Sequence, residues 1–489
     1  MRSLFLALLL ILPLSAQQPL EPFIEKTMRQ YDVPGCSVAL IQNGQVTMLR
    51  GFGLRRLGTS EPVGPDTIFP LASVTKTYTG VLAGVVVQDG KLRWDQPVVE
   101  VMPQVRLNQD YPTLHVTVTD FLSHRSGLPA FTGDLFDKLG YSHQEVIRRI
   151  QFLPLSAGFR EHDAYSNVGF FLAGMTCARA AGVSWEDLVQ QRILAPLKLT
   201  RTGFFTGPIP PGADIASPHM GKKPLREFDP QTVLGPAGLM TSTARDMSRF
   251  ALMLLNQGEL DGVRLLTADT VQHLFTPAMV AEPGFADMAP IFADSGFSYG
   301  MGVGIYHYNG YQVIEKGGAR AGVRSLLTLV PEKKLGLVIL CNQSTTAFPE
   351  AVRARVLENE LGSARQDLQS LIWQQQLKVD KMLAAVPVEA PGPPAVTRPS
   401  PLPLESYVGE YDNPLYGTLK VTRNGSHLAW AIGPARYGGP LYLEGLTTFL
   451  MVEPAGQISI PGDATFVVNE KGEVLSVQTD YGVFVRQKK

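Results

Sequence analysis

Leu71-Ala72-Ser73-Val74-Thr75-Lys76, continuing as Thr77-Tyr78-Thr79-Gly80-Val81-Leu82-Ala83-Gly84-Val85-Val86-Val87-Gln88, is the stretch from which the rest of the chain is best read. Val74, Tyr78, Val81, Leu82, Val85 and Val86 spread apolar groups over most sides of a helix that closes at Gly90. A helix with so little polar face has to be buried in a large core. Ser73 stands at its start and Lys76 three residues later, so the two side chains share a face and the amine reaches the hydroxyl. Unpaired N–H groups and partial positive charge at the helix N-terminus favour an oxyanion beside Ser73. Ser-x-x-Lys alone is a weak signal, and its bland counterpart is a capped helix with a surface lysine.

Working outward, the apolar run Cys36 to Ile41, the turn pair Asn43-Gly44 and the run Val46 to Leu49 predict a β-hairpin. A mainly helical middle follows, with an amphipathic stretch through Met247, Phe250, Ala251, Leu254 and Leu255. Tyr311 to Ile314, Ser325 to Val330 and Leu335 to Leu340 read as three further strands, the last two joined by the polar turn Pro331 to Lys334. Two early and three late strands around helices predict an α/β sandwich whose sheet is closed by the two ends of the domain, rather than a βαβ repeat. Helices are expected from Pro349 to Leu361 and through Leu368, Leu371, Ile372, Val379 and Met382. Seven prolines between Pro387 and Pro403 then mark a semi-rigid spacer. Beyond it, Leu404 to Lys489 alternates apolar and polar residues, the pattern of a small all-β unit.

The whole chain has 489 residues, 45% of them apolar and 18% charged, with 43 basic and 44 acidic side chains for a net charge of −1. That composition excludes a disordered or coiled-coil chain and gives no basic surplus for nucleic acid or anionic membrane. A small molecule or peptide is the expected partner; oligomeric state is left open. Residues 1–16 read as a secretory signal: Arg2 precedes the apolar stretch Leu4 to Leu14, which is too short to span a bilayer, and Ala16 offers a cleavage site. The mature protein is therefore expected to be secreted or periplasmic, with no stable membrane span. Three scattered cysteines, Cys36, Cys177 and Cys341, make neither a disulfide scaffold nor a zinc site, and the eight histidines show no zinc-hydrolase spacing. No metal or organic cofactor is implied.

Two later motifs carry chemistry. Tyr165-Ser166-Asn167 precedes an apolar segment expected to be helical, and places a phenol for proton transfer near an amide that can both donate and accept. Glu315-Lys316-Gly317-Gly318-Ala319 ends a predicted strand, where Lys316 brings a cation and the glycines allow close approach to the backbone. A competing motif, Gly296-Phe297-Ser298-Tyr299-Gly300, matches the Gly-x-Ser-x-Gly of α/β-hydrolases. That elbow needs strand, tight turn and helix, whereas here the motif runs into an extended glycine-rich pattern from Met301 to Tyr306.

Ser-x-x-Lys, Tyr-x-Asn and Lys-x-Gly in this order resemble the penicillin-recognising serine hydrolases: class C β-lactamases, D-alanyl-D-alanine carboxypeptidases, D-aminopeptidases and related esterases. The resemblance covers residues 17–362 and extends to Gly90-Lys91-Leu92-Arg93-Trp94-Asp95-Gln96-Pro97, to Thr117 through Pro129, and to Pro236 through Met247. It implies a β-lactamase/transpeptidase-like α/β sandwich, with an antiparallel five-stranded sheet flanked by helices plus a helical region. A helical and proline-rich linker over 363–403 would then lead to 404–489, where Tyr407-Val408-Gly409-Glu410-Tyr411 and Tyr416-Gly417-Thr418-Leu419 resemble a lipocalin-like, barrel-like β-domain. By the same resemblance Ser73 is the acylated nucleophile, Lys76 its helper and Tyr165 the general base or proton shuttle. Asn167 would hold the substrate amide, Lys316 would orient the substrate, and the oxyanion would sit between the N–H groups of Ser73 and Ala319, next to Gly318. Whether Tyr165 or Lys76 takes the serine proton stays open, as do the alternatives of β-lactamase, esterase or inactive scaffold. The related fold also brings its first and last strands together, so a Cys36–Cys341 disulfide is geometrically conceivable.

Overall fold

The computed structural model describes residues 19–225, 227–228, 233–281, 296–364, 366–384, 392–394, 398–454 and 462–487. The expected signal segment, residues 1–16, lies outside them, as do 385–391 and 395–397 of the proline-rich run. Helix α1 (Leu20–Gln30) leads into the predicted hairpin, β1 (Gly35–Gln42) and β2 (Gln45–Gly53), with Asn43 and Gly44 in the left-handed region that such a turn demands. The buried helix α2 (Thr75–Gln88) follows, then α3 (Asn167–Ala181) and α4 (Ala244–Leu255). The chain returns to the sheet through β3 (Met279–Val280), β4 (Ser298–Tyr299), β5 (Gly304–Tyr308), β6 (Tyr311–Arg320), β7 (Val323–Val330) and β8 (Leu335–Cys341). Helices α5 (Phe348–Leu361) and α6 (Leu368–Ala384) complete this part.

The sheet is antiparallel and its order is β3-β4-β5-β6-β7-β8-β1-β2, so the late strand β8 pairs with the early strand β1. It has eight strands where five were expected. Two of the extra strands, β3 and β4, are two residues long, too short for apolar alternation to register. The third, β5, lies in the glycine-rich stretch that already read as extended but was not counted in the sheet. Both faces are covered. Cys36 and Val38 of β1 pack with α1 and α5, while Ala39 and Ile41 pack with α2 and α4. Alternate side chains of a strand point to opposite faces, so burial on both sides explains the continuous apolar reading.

Cys36 and Cys341 lie directly opposite each other across β1 and β8, yet both thiols are free and buried. Cys36 Sγ contacts Met28 Sδ at 3.6 Å, and Cys341 Sγ contacts the Gln343 carbonyl at 3.7 Å. Beneath β6, Glu315 accepts from Tyr306 at 3.1 Å and Thr328 at 2.8 Å and pairs with buried Arg353 of α5. This network holds α5 to the sheet and fixes which side of β6 faces which layer.

The C-terminal unit is a closed eight-stranded barrel in simple sequence order, β9 (Gly409–Asn413), β10 (Gly417–Asn424), β11 (His427–Ile432), β12 (Tyr437–Gly445), β13 (Thr448–Met451), β14 (Gly462–Val468), β15 (Val474–Thr479) and β16 (Gly482–Arg486). Closure of β16 on β9 removes the free edges an open sheet would leave. Leu419, Val421, Trp430, Leu441, Phe449 and Phe466 fill its interior. No helix among the described residues is long and apolar enough to cross a membrane.

Candidate active site

Ser73 sits in a short 3-10 turn, Ala72–Val74, that runs directly into α2. It is the one partly accessible residue of Leu71–Lys76; Lys76 behind it is fully buried. Ala72, just before the serine, is buried with φ +44, a left-handed conformation that a residue with a Cβ adopts at a cost. Nothing in the sequence signalled that bend. It is held by β6 and β7: Ser325 Oγ donates to the Leu71 carbonyl at 2.6 Å. A Cβ on Gly318 would run into that same carbonyl and Ser325 Oγ and approach Ser73 N to 3.0 Å. Glycine there lets β6 lie against the serine turn.

Lys76 Nζ donates to Ser73 Oγ at 3.2 Å, Asn167 Oδ1 at 2.7 Å and the Ala237 carbonyl at 2.8 Å. The Tyr165 phenol is a further hydrogen-bond partner, and Nζ lies 4.8 Å from the centre of its ring. Burial, with the charge of Lys316 adding to it, lowers the pKa of Lys76, although Tyr165 and Asp134 work in the other direction. Lys316 Nζ lies 4.9 Å from the centre of the Tyr165 ring and 5.5 Å from that of Tyr299. The strand β6 does not end at this motif as expected but continues to Arg320, because Lys316–Arg320 stays in register with Val323–Leu327. Lys316 therefore points to the side opposite Glu315 and its ion pair with Arg353. Ala319 is exposed at the open end of the strand, paired with Arg324.

Tyr165 and Asn167 straddle the N-cap of α3. Ser166 Oγ accepts from Gly169 N at 3.1 Å, and its own N–H donates to His124 Nδ1 at 3.1 Å. The acceptor role of Nδ1 puts the ring proton on Nε2. Burial, reinforced by Lys316 and Lys76, holds His124 well below the ordinary histidine range, so the ring is neutral. His124 also packs on Tyr165 with ring centres 4.5 Å apart. Phe131 stacks on Tyr165 at 5.3 Å and donates its N–H to the Tyr165 carbonyl.

The structure thus brings Ser73, Lys76, Tyr165, Asn167, Lys316 and Gly318 to one place from α2, α3 and β6, with Ala319 on the next position of the strand. The competing Ser298 lies within β4, opposite Ile305, with no following helix. Its neighbour Tyr299 belongs to the wall around Lys316. Sequence reasoning gave no role to His124 of the Thr117–Pro129 segment, to Tyr299 beside Ser298, or to Asp134. Asp134 Oδ2 accepts from Asn167 Nδ2 at 2.8 Å, a partnership made through a loop that no spacing rule reveals.

A family model described as Beta-lactamase matches residues 20–361. The chain belongs to the beta-lactamase family. A second model, of a domain of unknown function (DUF3471), matches residues 393–487 and so takes in the barrel. Among relatives, an unguisins hydrolase of Aspergillus campestris is 25% identical over 423 residues, 81% of this chain and 76% of its own length. Penicillin-binding protein 4 of Amycolatopsis lactamdurans is 27% identical, over 69% of this chain and 88% of its own. Two solved structures share the fold: an octameric penicillin-binding protein homologue from Pyrococcus abyssi (TM-score 0.62, 22% identity, 96% of this chain and 99% of that one) and SurE (TM-score 0.57, 23% identity, 96% and 98%).

Proposed function

We propose that this beta-lactamase family member is a secreted serine hydrolase that cleaves an amide or ester, in a peptide, a D-amino-acid peptide or a related substrate, through an acyl-enzyme on Ser73. The observation that carries the reading is the placement of a buried, pKa-lowered lysine amine 3.2 Å from the hydroxyl of a partly accessible serine. A lysine ammonium has three N–H donors, and four groups meet it here: Ser73 Oγ, Asn167 Oδ1, the Ala237 carbonyl and the Tyr165 phenol. Once Lys76 is neutral, its two remaining N–H groups suit Asn167 Oδ1 and the Ala237 carbonyl, neither of which can donate. The lone pair is left for a hydroxyl donor, Ser73 or Tyr165. Ser73 Oγ attacks the carbonyl carbon while its proton passes to the Lys76–Tyr165 pair, and the same pair returns it to the leaving group. The N–H groups of Ser73 and Ala319 receive the oxyanion. Water then repeats the sequence on the ester. The second Nδ2 hydrogen of Asn167 is available to a substrate carbonyl, and Lys316 attracts a substrate carboxylate. The relative named an unguisins hydrolase supports a hydrolytic reaction, and the one named a penicillin-binding protein supports a site that takes up penicillin.

The test is acylation by a fluorophosphonate followed by intact mass. The wild type is expected to gain one adduct, Ser73→Ala none, and Lys76→Met is expected to react about 10²- to 10⁴-fold more slowly. An adduct that survives Ser73→Ala would refute the assignment. D-Ala-D-Ala peptides, D-amino-acid amides, p-nitrophenyl esters and a chromogenic cephalosporin, assayed in parallel, identify the acyl group.

A further inference from the structure

Asn167 offers two chemically different faces, and its orientation in the site has to be set by something outside it. Asp134 sets it. An ionised carboxylate only accepts hydrogen bonds, so Asp134 Oδ2 at 2.8 Å requires Nδ2 of Asn167, which turns Oδ1 towards Lys76 Nζ at 2.7 Å. Its other oxygen, Oδ1, is buried without a partner among the described residues, an arrangement with a standing energetic cost. A neutral or apolar residue would avoid that cost.

The segment bearing Asp134 is held from the barrel. Gly133 N donates to Tyr416 Oη at 3.1 Å, and the Tyr416 ring packs on Phe136 with centres 5.5 Å apart. Tyr141, on the same stretch, donates to the Tyr416 carbonyl at 2.9 Å. Gly133 has φ +91, and a Cβ there would meet Val168 Cγ2 at 2.7 Å, so only glycine lets the segment lie this close to α3.

We propose that Asp134 is a positioning residue for acylation, acting through the amide of Asn167 on Lys76, and that Tyr416 of the barrel holds it in place. The proposal rests on the serine-hydrolase reading and adds to it a role for the C-terminal unit. With Asn167 Oδ1 fixed, the neutral amine has no choice but to spend a proton on it, which keeps the lone pair for the hydroxyls. Asp134 also sets a negative charge near Lys76, opposing the effect of Lys316. The groups facing Asp134 are Lys76 from α2, Asn167 from α3, Tyr416 from the barrel and Asp137 from its own segment, the last also near Arg320 of β6. Burial pushes the Asp134 carboxyl up to about 6. Below that pH the protonated acid can donate, the amide is no longer constrained, and acylation slows.

The experiment is the fluorophosphonate acylation rate of the full chain from pH 5 to pH 9, for wild type, Asp134→Asn and Tyr416→Phe, with near-ultraviolet circular dichroism to verify folding. Asp134→Asn is isosteric but can present either face to Asn167. It is expected to acylate at least tenfold more slowly at pH 8 and to lose the acid limb near pH 6. Tyr416→Phe keeps the ring and removes the acceptor for Gly133 N–H, and a several-fold slower rate is expected. A folded Asp134→Asn with the wild-type rate and limb would overturn the positioning role while leaving the serine hydrolase standing. Wild-type labelling in Tyr416→Phe would overturn the barrel's part. If the wild type itself took no label, the underlying reading would fail first.

Discussion

At the level of single residues, the site is built from groups that would be unfavourable in isolation. Lys76 is a fully buried amine, His124 a buried neutral ring, Asp134 and Asp137 carboxyls held above their usual range. Such clusters of perturbed groups are a recurrent property of reaction centres. Asp137 tests the cost without touching the reacting atoms. Burial raises it from its ordinary 3.8 to about 7, and its Oδ1 accepts from Leu234 N at 2.7 Å. The folded form therefore retains a proton that the unfolded chain releases above about pH 4, so the stability this group contributes is present at low pH and lost as pH rises through 7. Asp137→Asn keeps the acceptor and removes the titration. The variant should gain stability over wild type between pH 5 and pH 8 by on the order of 1–2 kcal/mol, allowing for solvent at the open edge of the side chain. Thermal melts at the two pH values measure it: a midpoint difference that does not grow at pH 8 would count against the buried-acid account.

Among the elements, the contact of β6 with the serine turn is the one on which the site's geometry depends. Gly318→Ala places a methyl against the Leu71 carbonyl and Ser325 Oγ, and the backbone atom of that pair cannot swing aside. Overpacking of this kind costs about 1–3 kcal/mol. Because the displaced part carries Ser73, the acylation rate should fall at least tenfold while the barrel's fold is untouched. A variant that acylates like wild type with only a lowered melting midpoint would mean that the turn is held elsewhere. The same elements show what could be read in advance. The helix Thr75–Gln88 and the strands near residues 36, 46, 325 and 335 were legible because long apolar runs between turn signals admit few other structures. Met279–Val280 and Ser298–Tyr299 were not, since two residues carry no period. That Ser73, Lys76, Tyr165, Asn167 and Lys316 converge could be expected from three motifs, each weak alone, whose order resembles one family. The left-handed Ala72 and the Asp134–Asn167 bond were hidden, because both follow from which loops and strands press on each other in three dimensions.

Taken whole, the molecule joins its two units by packed surfaces as well as by the linker. Leu139 and Phe136 of the first unit and Tyr416 and Tyr437 of the barrel belong to one continuous apolar cluster. Polar bonds rim it: Arg149 Nη1 donates to the Pro414 and Leu415 carbonyls at 3.1 and 3.2 Å, Ala435 N donates to the Leu139 carbonyl at 2.9 Å, and Lys138 lies 3.6 Å from Glu453. Units that share buried apolar surface unfold together when the shared contacts outweigh the difference between their separate stabilities. The wild type is therefore expected to melt in a single calorimetric transition. Arg149→Glu removes the donor to both carbonyls, sets a carboxylate against them and against Glu145, and loses the stacking of the guanidinium on Tyr141, whose ring centre is 4.5 Å away. Scanning calorimetry of this variant should resolve two transitions or one broadened towards lower temperature. Since the same interface bears on Gly133 and Asp134, acylation should slow in step with the loss of cooperativity. A variant that unfolds in one sharp transition at the wild-type midpoint, with unchanged acylation, would show that the barrel and the beta-lactamase family unit are energetically independent.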